Sequence, residues 1–470
     1  RVGSWRSDLC KRLLFHRVLP DFLVLWVYAA ARRRIQSFGY TLISGYNEIV
    51  LDIAGEGGME LPTGNERYFR MSVEEFDTEK LMQNAARQRD QRKFNDMLII
   101  DVDAHHYETE SMTEIVEFIE DPVLRQLARS AQQIAHRGSM FSLGRAGYQD
   151  IGGRVTRYPL RGLEDTPDDG VHRDVHLTHR WMDAMGVDYA CVFPTPMLGL
   201  AMHPQPDVEV TMARAYNRWL VEKILPGNPR IKSMLYLPFN EPDAAMKIVE
   251  DFGDAEGVIG FMVTSVRHRP VHHNDYMKIY RAIEERGLPI GFHSGFNWDD
   301  PMFRTCNRFL AVHALGFTWY NVVHCTNWVL NGMNERFPGL PVIWIESGIS
   351  WIPFLMQRLD TQYRMRSSEC PMLKKLPSDY MRDMYYTTQP MEMPDNIELL
   401  ETTFRAINAE TQLLWSSDYP HWDMDIPSVI WDLPFIGEEA KRNILGGTAQ
   451  KIFNIDVRDR HPAYGAIAAE

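Results

Sequence analysis

Eight short apolar runs, separated by helix-forming segments, constrain the fold of this chain more than any other feature. Each run is rich in β-branched or aromatic residues and has the continuous apolar pattern of a parallel strand buried on both faces. The runs cover residues 98–102, 189–193, 233–237, 258–263, 288–292, 319–323, 342–345 and 413–415. Helical patterns lie between them at 207–224, 242–252, 275–286 and 328–336. This alternation predicts an α/β fold, and eight repeats favour a closed (β/α)8 TIM-like barrel over an open sheet.

Two of the predicted connections are far longer than ordinary loops between strand and helix. Residues 103–188 separate the first and second runs, and residues 346–412 separate the seventh and eighth. We therefore expect long insertions after strands 1 and 7. A barrel keeps its active site at the carboxyl ends of its strands, so our hypothesis is that both insertions cover the substrate.

Four segments make up the predicted domain organisation. Residues 1–70 contain an apolar run at 22–31 that is too short to span a bilayer, which takes about 20 residues. We expect residues 1–70 to be poorly ordered or to lie upstream of the functional protein. A charged helical arm is expected at 71–96, the metal-dependent barrel at 97–456 and a C-terminal tail at 457–470.

Charge and cysteine content narrow the partners and the compartment. The net charge of −13 argues against a nucleic-acid partner, which calls for a basic face, and no segment predicts a membrane partner. The cysteines are odd in number and contain no CxxC pair, which favours a reducing cytoplasm over a disulfide framework: Cys10, Cys191, Cys306, Cys325 and Cys370. The expected partners are a small-molecule substrate and further copies of the chain, with a hetero-oligomer as the alternative.

Ionisable residues fall at the carboxyl ends of several predicted strands. Asp103 and His105 are two positions apart after the first run, so both side chains point to one side of the extended chain. Further strand ends deliver His293, His324, Glu346 and Asp418. Any one of these is readily explained by loop capping, but several at one rim predict a shared site. Imidazoles with carboxylates suit Zn, Mn, Fe or Co, with a bound water or substrate oxygen activated by the cation.

Six motifs in order along the chain resemble the amidohydrolase superfamily. They are DVDAHHYE (101–108), GFHSG (291–295), VVH (322–324), IESGISWIPFLMQRLD (345–360), SSDYPHWD (416–423) and GEEAKRNILGGTAQKIFNID (437–456). The most similar branch is the amidohydrolase-related group that includes aminocarboxymuconate semialdehyde, resorcylate and carboxyvanillate decarboxylases. The resemblance covers roughly residues 97–456.

The resemblance implies roles for individual residues. It implies one divalent cation held by Asp103, His105, His293 and Asp418. Zinc is the first candidate, with manganese, iron and cobalt as alternatives. The histidine that ends the sixth strand in the family corresponds to His324 in this chain, and His324 is expected to transfer protons. Asp418 and Glu346 are the other candidate catalytic groups, and Glu346 is expected on strand 7.

The sequence leaves open whether the site binds a second cation. The fourth run ends without the lysine that bridges two metals in related hydrolases, so one metal is the default that the resemblance implies. The residues that could hold a second ion or orient the first are His106, Glu108, His324, Glu346 and His421. Aromatic walls with an arginine would suit a planar carboxylated substrate, and the candidates are Phe296, Trp298, Arg304 and Trp328.

The leading functional hypothesis is a cytoplasmic, metal-dependent hydrolase or decarboxylase acting on a small carboxylated or amide-type substrate. In the first version, metal-activated water attacks the substrate. In the second, the metal chelates a carboxylate and CO2 leaves. Two alternatives are a dinuclear, iron-type oxygenase on the same scaffold and a metal-binding partner subunit of a hetero-oligomer.

Overall fold

The computed structural model describes residues 78–106, 108, 111–134, 166–421 and 423–457. The chain divides into two compact units, Arg1–Leu61 and Pro62–Glu470, and every described residue belongs to the second. The predictions for residues 1–70, the start of the arm at 71–77 and nearly all of the tail lie outside the described residues.

Eight parallel strands form one sheet whose order follows the chain. They are β1 (Ile100–His105), β2 (Tyr189–Phe193), β3 (Ile231–Tyr236), β4 (Val258–Thr264), β5 (Ile290–His293), β6 (Val342–Ile345), β7 (Tyr385–Thr387) and β8 (Leu413–Leu414). The ring is closed between its ends, because the N–H of Val102 in β1 donates to the carbonyl of Trp415 just after β8, at 3.1 Å. The predicted (β/α)8 barrel is confirmed.

Sixteen α-helices are described. They are α1 (Thr78–Arg92), α2 (Met112–Ile115), α3 (Pro122–Ile134), α4 (Arg173–Met185), α5 (Pro206–Trp219), α6 (Pro242–Phe252), α7 (Met277–Glu285), α8 (Phe309–Leu330), α9 (Met333–Arg336), α10 (Trp351–Arg366), α11 (Pro377–Met381), α12 (Ile397–Ile407), α13 (Ala409–Gln412), α14 (Ser428–Trp431), α15 (Glu438–Arg442) and α16 (Thr448–Phe453). Several begin with proline at the first helical position, where the missing N–H costs nothing. Among the described residues, no helix is long and apolar enough to cross a membrane.

The helix α1 shows how the described part of the predicted arm is held. Arg92 forms a bidentate ion pair with Asp432, at 2.6 and 2.9 Å, and the hydroxyl of Ser428 donates to Gln88 at 2.8 Å. Arg89 also hydrogen-bonds the carbonyl of Asp183 in α4. The arm therefore packs on the outside of its own barrel over the described residues.

The strand predicted at 319–323 is wrong, because these residues lie inside the long helix α8. That helix contains no Asp, Glu, Lys or Arg, and apolar residues cover its outer side too: Leu315, Trp319 and Val323 are 41–52% exposed. A helix with apolar residues all round has no 3.6-residue polarity pattern, and a run of aromatic and β-branched residues within it resembles a strand.

The seventh strand, β7, was missed, and this changes the predicted connections. Three residues flanked by turn-forming sequence give little pattern to detect. The stretch 346–412 therefore holds α10, α11, β7, α12 and α13, so the predicted long insertion after strand 7 is wrong. The long connection after β1 is confirmed, since β2 begins only at Tyr189. The run at 342–345 is β6, not strand 7.

Candidate metal centre

Side chains from four strand ends meet at the carboxyl mouth of the barrel. His105 Nε2 lies 3.2 Å from Asp103 Oδ1 and 3.3 Å from Asp418 Oδ1. His293 Nε2 lies 3.2 Å from the same oxygen of Asp103, and its Nδ1 lies 3.5 Å from Glu346 Oε2. All five side chains are almost fully buried. The register explains this meeting, because His293 of β5 pairs with Ile345 of β6, the residue before Glu346.

A second group of donors adjoins the first. His421 Nδ1 lies 2.6 Å from Asp418 Oδ1 and 4.0 Å from Glu346 Oε1. The rings of His421 and His105 lie 4.3 Å apart between centroids. Two sets of potential ligand atoms follow, each within 4.8 Å: one from Asp103, His105, His293 and Glu346, and one from His105, Asp418 and His421.

Backbone carbonyls orient the two strand histidines. His105 Nδ1 lies 3.0 Å from the oxygen of Pro194, and His293 Nδ1 lies 2.9 Å from the oxygen of Ser294. A carbonyl oxygen can only accept, so each Nδ1 carries a hydrogen, and in the neutral form of each imidazole the lone pair is then on Nε2, which faces the carboxylates. This is the arrangement in which neutral imidazole ligates a metal through Nε2.

Three carboxylate oxygens in the site have no hydrogen-bond partner among the described residues. They are Asp103 Oδ2, Asp418 Oδ2 and Glu346 Oε2, and all are buried. A buried carboxylate oxygen without a partner is costly unless something cationic completes it. The residues present therefore fit a divalent cation with mixed imidazole and carboxylate ligation.

The electrostatics of the site reflect crowded carboxylates. Burial raises the pKa of Glu346 well above its usual value, and the charges of Asp418 and Asp103 add to this. The pKa of Asp418 is likewise raised, first by burial and then by Asp423 and Asp103. The pKa of Asp103 is lowered despite burial, because His293 and His105 face it. Burial lowers the pKa of His105 to about 3, with a further contribution from His421, so it stays neutral near pH 7.

Glu346 and Asp418 have the same unusual backbone conformation. Both have φ of 55°, in the left-handed region that non-glycine residues rarely adopt. The N–H of Glu346 donates to the hydroxyl of Thr387 in β7 at 2.9 Å, and the N–H of Asp418 donates to the carbonyl of Asp103 at 2.7 Å. The neighbouring strands thus hold both residues in this conformation.

The position predicted for His324 is wrong. It lies on α8, where Nε2 hydrogen-bonds the carbonyl of Ser265 at 2.9 Å, and it belongs to neither set of potential ligands among the described residues. Burial lowers its pKa to about 4. The residue that follows the sixth strand is Glu346, so the argument from a strand end applies to Glu346 and not to His324.

His106 and Glu108 also belong to neither set of potential ligands among the described residues. His106 Nε2 lies 2.7 Å from the hydroxyl of Tyr216. Glu108 accepts the backbone N–H groups of Thr195 and Met197. Both carboxylate oxygens of Glu108 are thereby satisfied by the protein, and a second cation is not expected at either residue.

The four predicted substrate-binding residues have separate locations. Trp328 is fully buried and packs edge-on against Tyr280 and Phe292, as a core residue does. The guanidinium of Arg304 hydrogen-bonds the carbonyl of Asp299. Phe296 and Trp298 join a small apolar cluster whose core is Val266, Phe303, Val312 and Tyr320. The substrate-binding role of all four residues stays a prediction.

Three further residues at the site were not predicted from the sequence. Asp101 Oδ1 accepts the N–H groups of Asp103 and Ser417, at 3.1 and 2.9 Å, which ties β1 to the segment after β8. The hydroxyl of Thr195 lies 3.3 Å from His105 Nδ1 and 3.3 Å from His421 Nε2. Asp423 raises the pKa of Asp418 through its charge. The location of Asp101, two residues before Asp103, could have indicated its role from the sequence. Thr195 lies in a turn with no motif.

Comparison with known proteins identifies a family and two similar decarboxylases. Residues 100–455 match the model of the amidohydrolase family. A gamma-resorcylate decarboxylase of Polaromonas sp. strain JS666 is 22% identical over 259 residues, which are 52% of this chain and 76% of that protein. The gamma-resorcylate decarboxylase of Rhizobium radiobacter is 24% identical over 300 residues, 59% of this chain and 86% of that protein.

A solved structure shares the fold. The 5-carboxyvanillate decarboxylase of Novosphingobium aromaticivorans, complexed with manganese and 4-hydroxy-3-methoxy-5-nitrobenzoic acid, superposes with a TM-score of 0.56. It is 17% identical and covers 77% of this chain and 97% of its own. At this identity the likeness shows the fold.

Proposed function

Because this chain belongs to the amidohydrolase family, we propose that it is a metal-dependent carboxy-lyase that removes CO2 from a small aromatic carboxylate. The observation that carries the proposal is the buried convergence of two histidine Nε2 atoms and three carboxylates, which four strand ends bring together. The named relatives are decarboxylases of aromatic acids, which favours CO2 release over hydrolysis and over oxygenation.

The proposed ligands of the cation are Asp103, His105, His293 and Asp418. A divalent cation held by these residues would supply Lewis acidity for a substrate carboxylate in the buried site. Manganese accompanies the substrate-like acid in the structure from Novosphingobium aromaticivorans, so Mn(II) is the first ion to test, with Zn(II) second.

Glu346 is the proposed proton donor. When CO2 leaves, the electron pair of the broken C–C bond stays on the ring carbon, which must then take up a proton. A carboxyl group beside Asp418 and Asp103 in a buried site retains its proton more readily than one in water. His421, which contacts Asp418, is proposed to return a proton to Glu346 after each turnover.

Elemental analysis determines how many cations the site binds. His105, Asp418 and His421 form a second donor set, which shares His105 with the set that contains His293, so a second ion is an alternative for this site. Elemental analysis of the purified chain after Mn(II) loading is expected to give one ion per chain. Two ions per chain with O2-dependent turnover would instead indicate the oxygenase.

A substrate panel tests the reaction class. CO2 release is measured from hydroxybenzoates with a carboxylate beside a hydroxyl group, in parallel with product formation from aryl esters and amides. We expect Mn(II)-dependent CO2 release and little hydrolysis. Ester or amide hydrolysis without CO2 release would refute the carboxy-lyase and favour metal-activated water. The matched control is His293→Ala, which removes one proposed ligand and is expected to be inactive in both assays.

A further inference from the structure

The carboxylate of Glu108, three residues after His105, binds the backbone of the turn that follows β2. Oε2 accepts the N–H of Thr195 at 2.9 Å and Oε1 accepts the N–H of Met197 at 2.7 Å. The side chain is fully buried, and its own backbone carbonyl accepts the N–H of Ser111. One carboxylate from the segment after β1 thus fixes the turn that follows β2. We call Glu108 and residues 194–197 the Glu108 brace.

The turn held by Glu108 contacts two histidines of the site. The carbonyl of Pro194 lies 3.0 Å from His105 Nδ1, and the hydroxyl of Thr195 lies 3.3 Å from the same nitrogen. On its other side, the Thr195 hydroxyl lies 3.3 Å from His421 Nε2. A movement of this turn would therefore disturb one proposed ligand and the neighbouring histidine together.

The hydrogen-bond directions within the brace are restricted. Thr195 has one hydroxyl hydrogen, and the carbonyl of His106, 3.1 Å away, can only accept it. Towards the two imidazoles the hydroxyl oxygen is then an acceptor. This favours hydrogen on His105 Nδ1 and leaves His105 Nε2 as a lone-pair donor facing Asp103 and Asp418.

We infer that Glu108 is a positioning residue for the metal centre, which it acts on through the turn 194–197 by fixing the orientations of His105 and His421. This inference rests on the proposed metal site. Partners that orient metal-bound histidines affect metal affinity by about 10- to 100-fold when they are removed.

Two variants test the two halves of the brace. Glu108→Gln keeps the size of the side chain but replaces one acceptor by an amide that cannot accept an N–H. Thr195→Val removes the hydroxyl and retains the backbone N–H that Glu108 binds. Each is expected to weaken Mn(II) binding by about 10-fold or more in calorimetric titration of the full chain. Thr195→Ser retains the hydroxyl and is expected to restore wild-type affinity, and Glu117→Gln, on the surface pair with Arg129, is the matched acidic control.

The double variant separates positioning from a general loss of stability. If Glu108 acts through the turn, Glu108→Gln and Thr195→Val together weaken Mn(II) binding little more than the stronger single change. Additive losses, or single variants that bind Mn(II) as the wild type does, overturn the inference. Titration needs no turnover, so failure to release CO2 leaves this result standing. If the wild-type chain binds neither Mn(II) nor Zn(II), both the metal centre and the brace are refuted.

Discussion

Replacing His324 by glutamine separates a structural histidine from a catalytic one. The motif order assigned proton transfer to His324, whereas the structure places it on α8 with Nε2 hydrogen-bonded to Ser265. Glutamine can still donate to that carbonyl but cannot titrate. If His324 were the general acid, the variant would lose about 100-fold or more of its activity. We expect kcat/KM for CO2 release at pH 7 to stay within a few-fold of wild type.

The same variant should change how stability depends on pH. Burial lowers the pKa of His324 to about 4, from an ordinary 6.5. Below pH 6.5 the histidine of the unfolded chain takes up a proton while the folded one stays neutral, so acid favours unfolding until pH falls through about 4. Each pH unit in this window is worth about 1.4 kcal/mol, or roughly 2 kcal/mol between pH 6.5 and 5.

Urea unfolding with a chelator present measures this contribution without interference from bound metal. The free energy of unfolding of His324→Gln, minus that of wild type, should become more positive by about 2 kcal/mol between pH 6.5 and 5. Other titrating groups are common to both proteins and cancel in the difference. A difference that does not change with pH, or a large loss of kcat/KM at pH 7, would refute this account of His324.

Three further predictions concern the site and the core. Glu346→Gln should lower kcat for CO2 release by about 100-fold or more, because an amide supplies no acid proton, and an unchanged kcat would move this role to His421. Mn(II) at 100 times its dissociation constant should raise the free energy of unfolding by about 2.7 kcal/mol, and an unshifted Tm would contradict a native-state metal site. Trp328→Ala should cost about 3–5 kcal/mol of stability, and a selective rise in KM without that cost would place Trp328 in the substrate wall.

The barrel and much of its site could be predicted because both depend on local pattern. Asp103, His105 and His293 each end a buried strand, and strand ends converge in any closed parallel barrel. The strand count of eight came out right through two compensating errors. The run at 319–323 belongs to α8, and β7 is too short to detect. These errors moved Glu346 by one strand and gave His324 a strand end that it does not have.

The remaining features of the site depend on contacts between distant segments. Thr195 reaches the site through a turn, and Glu108 takes part through hydrogen bonds to backbone N–H groups, which any sequence can supply. Trp328 shows a second limit, since an aromatic residue near a functional motif is as readily part of the core. Its ring packs against Tyr280 and Phe292, a contact that the sequence does not show.

The backbone at Glu346 and Asp418 bears on whether the site is functional. Among the described residues, the other non-glycine positions with positive φ are Lys93, Asn408 and Asn454, and all three flank helix ends, where this conformation is common. Glu346 and Asp418 instead follow strands. A non-glycine residue in this region costs on the order of 1–3 kcal/mol, and glycine would avoid that cost. Stability alone therefore does not account for a carboxylate at either position. Because both carboxylates point into one buried cluster, a ligand that needs them there accounts for both the side chains and the strained backbone.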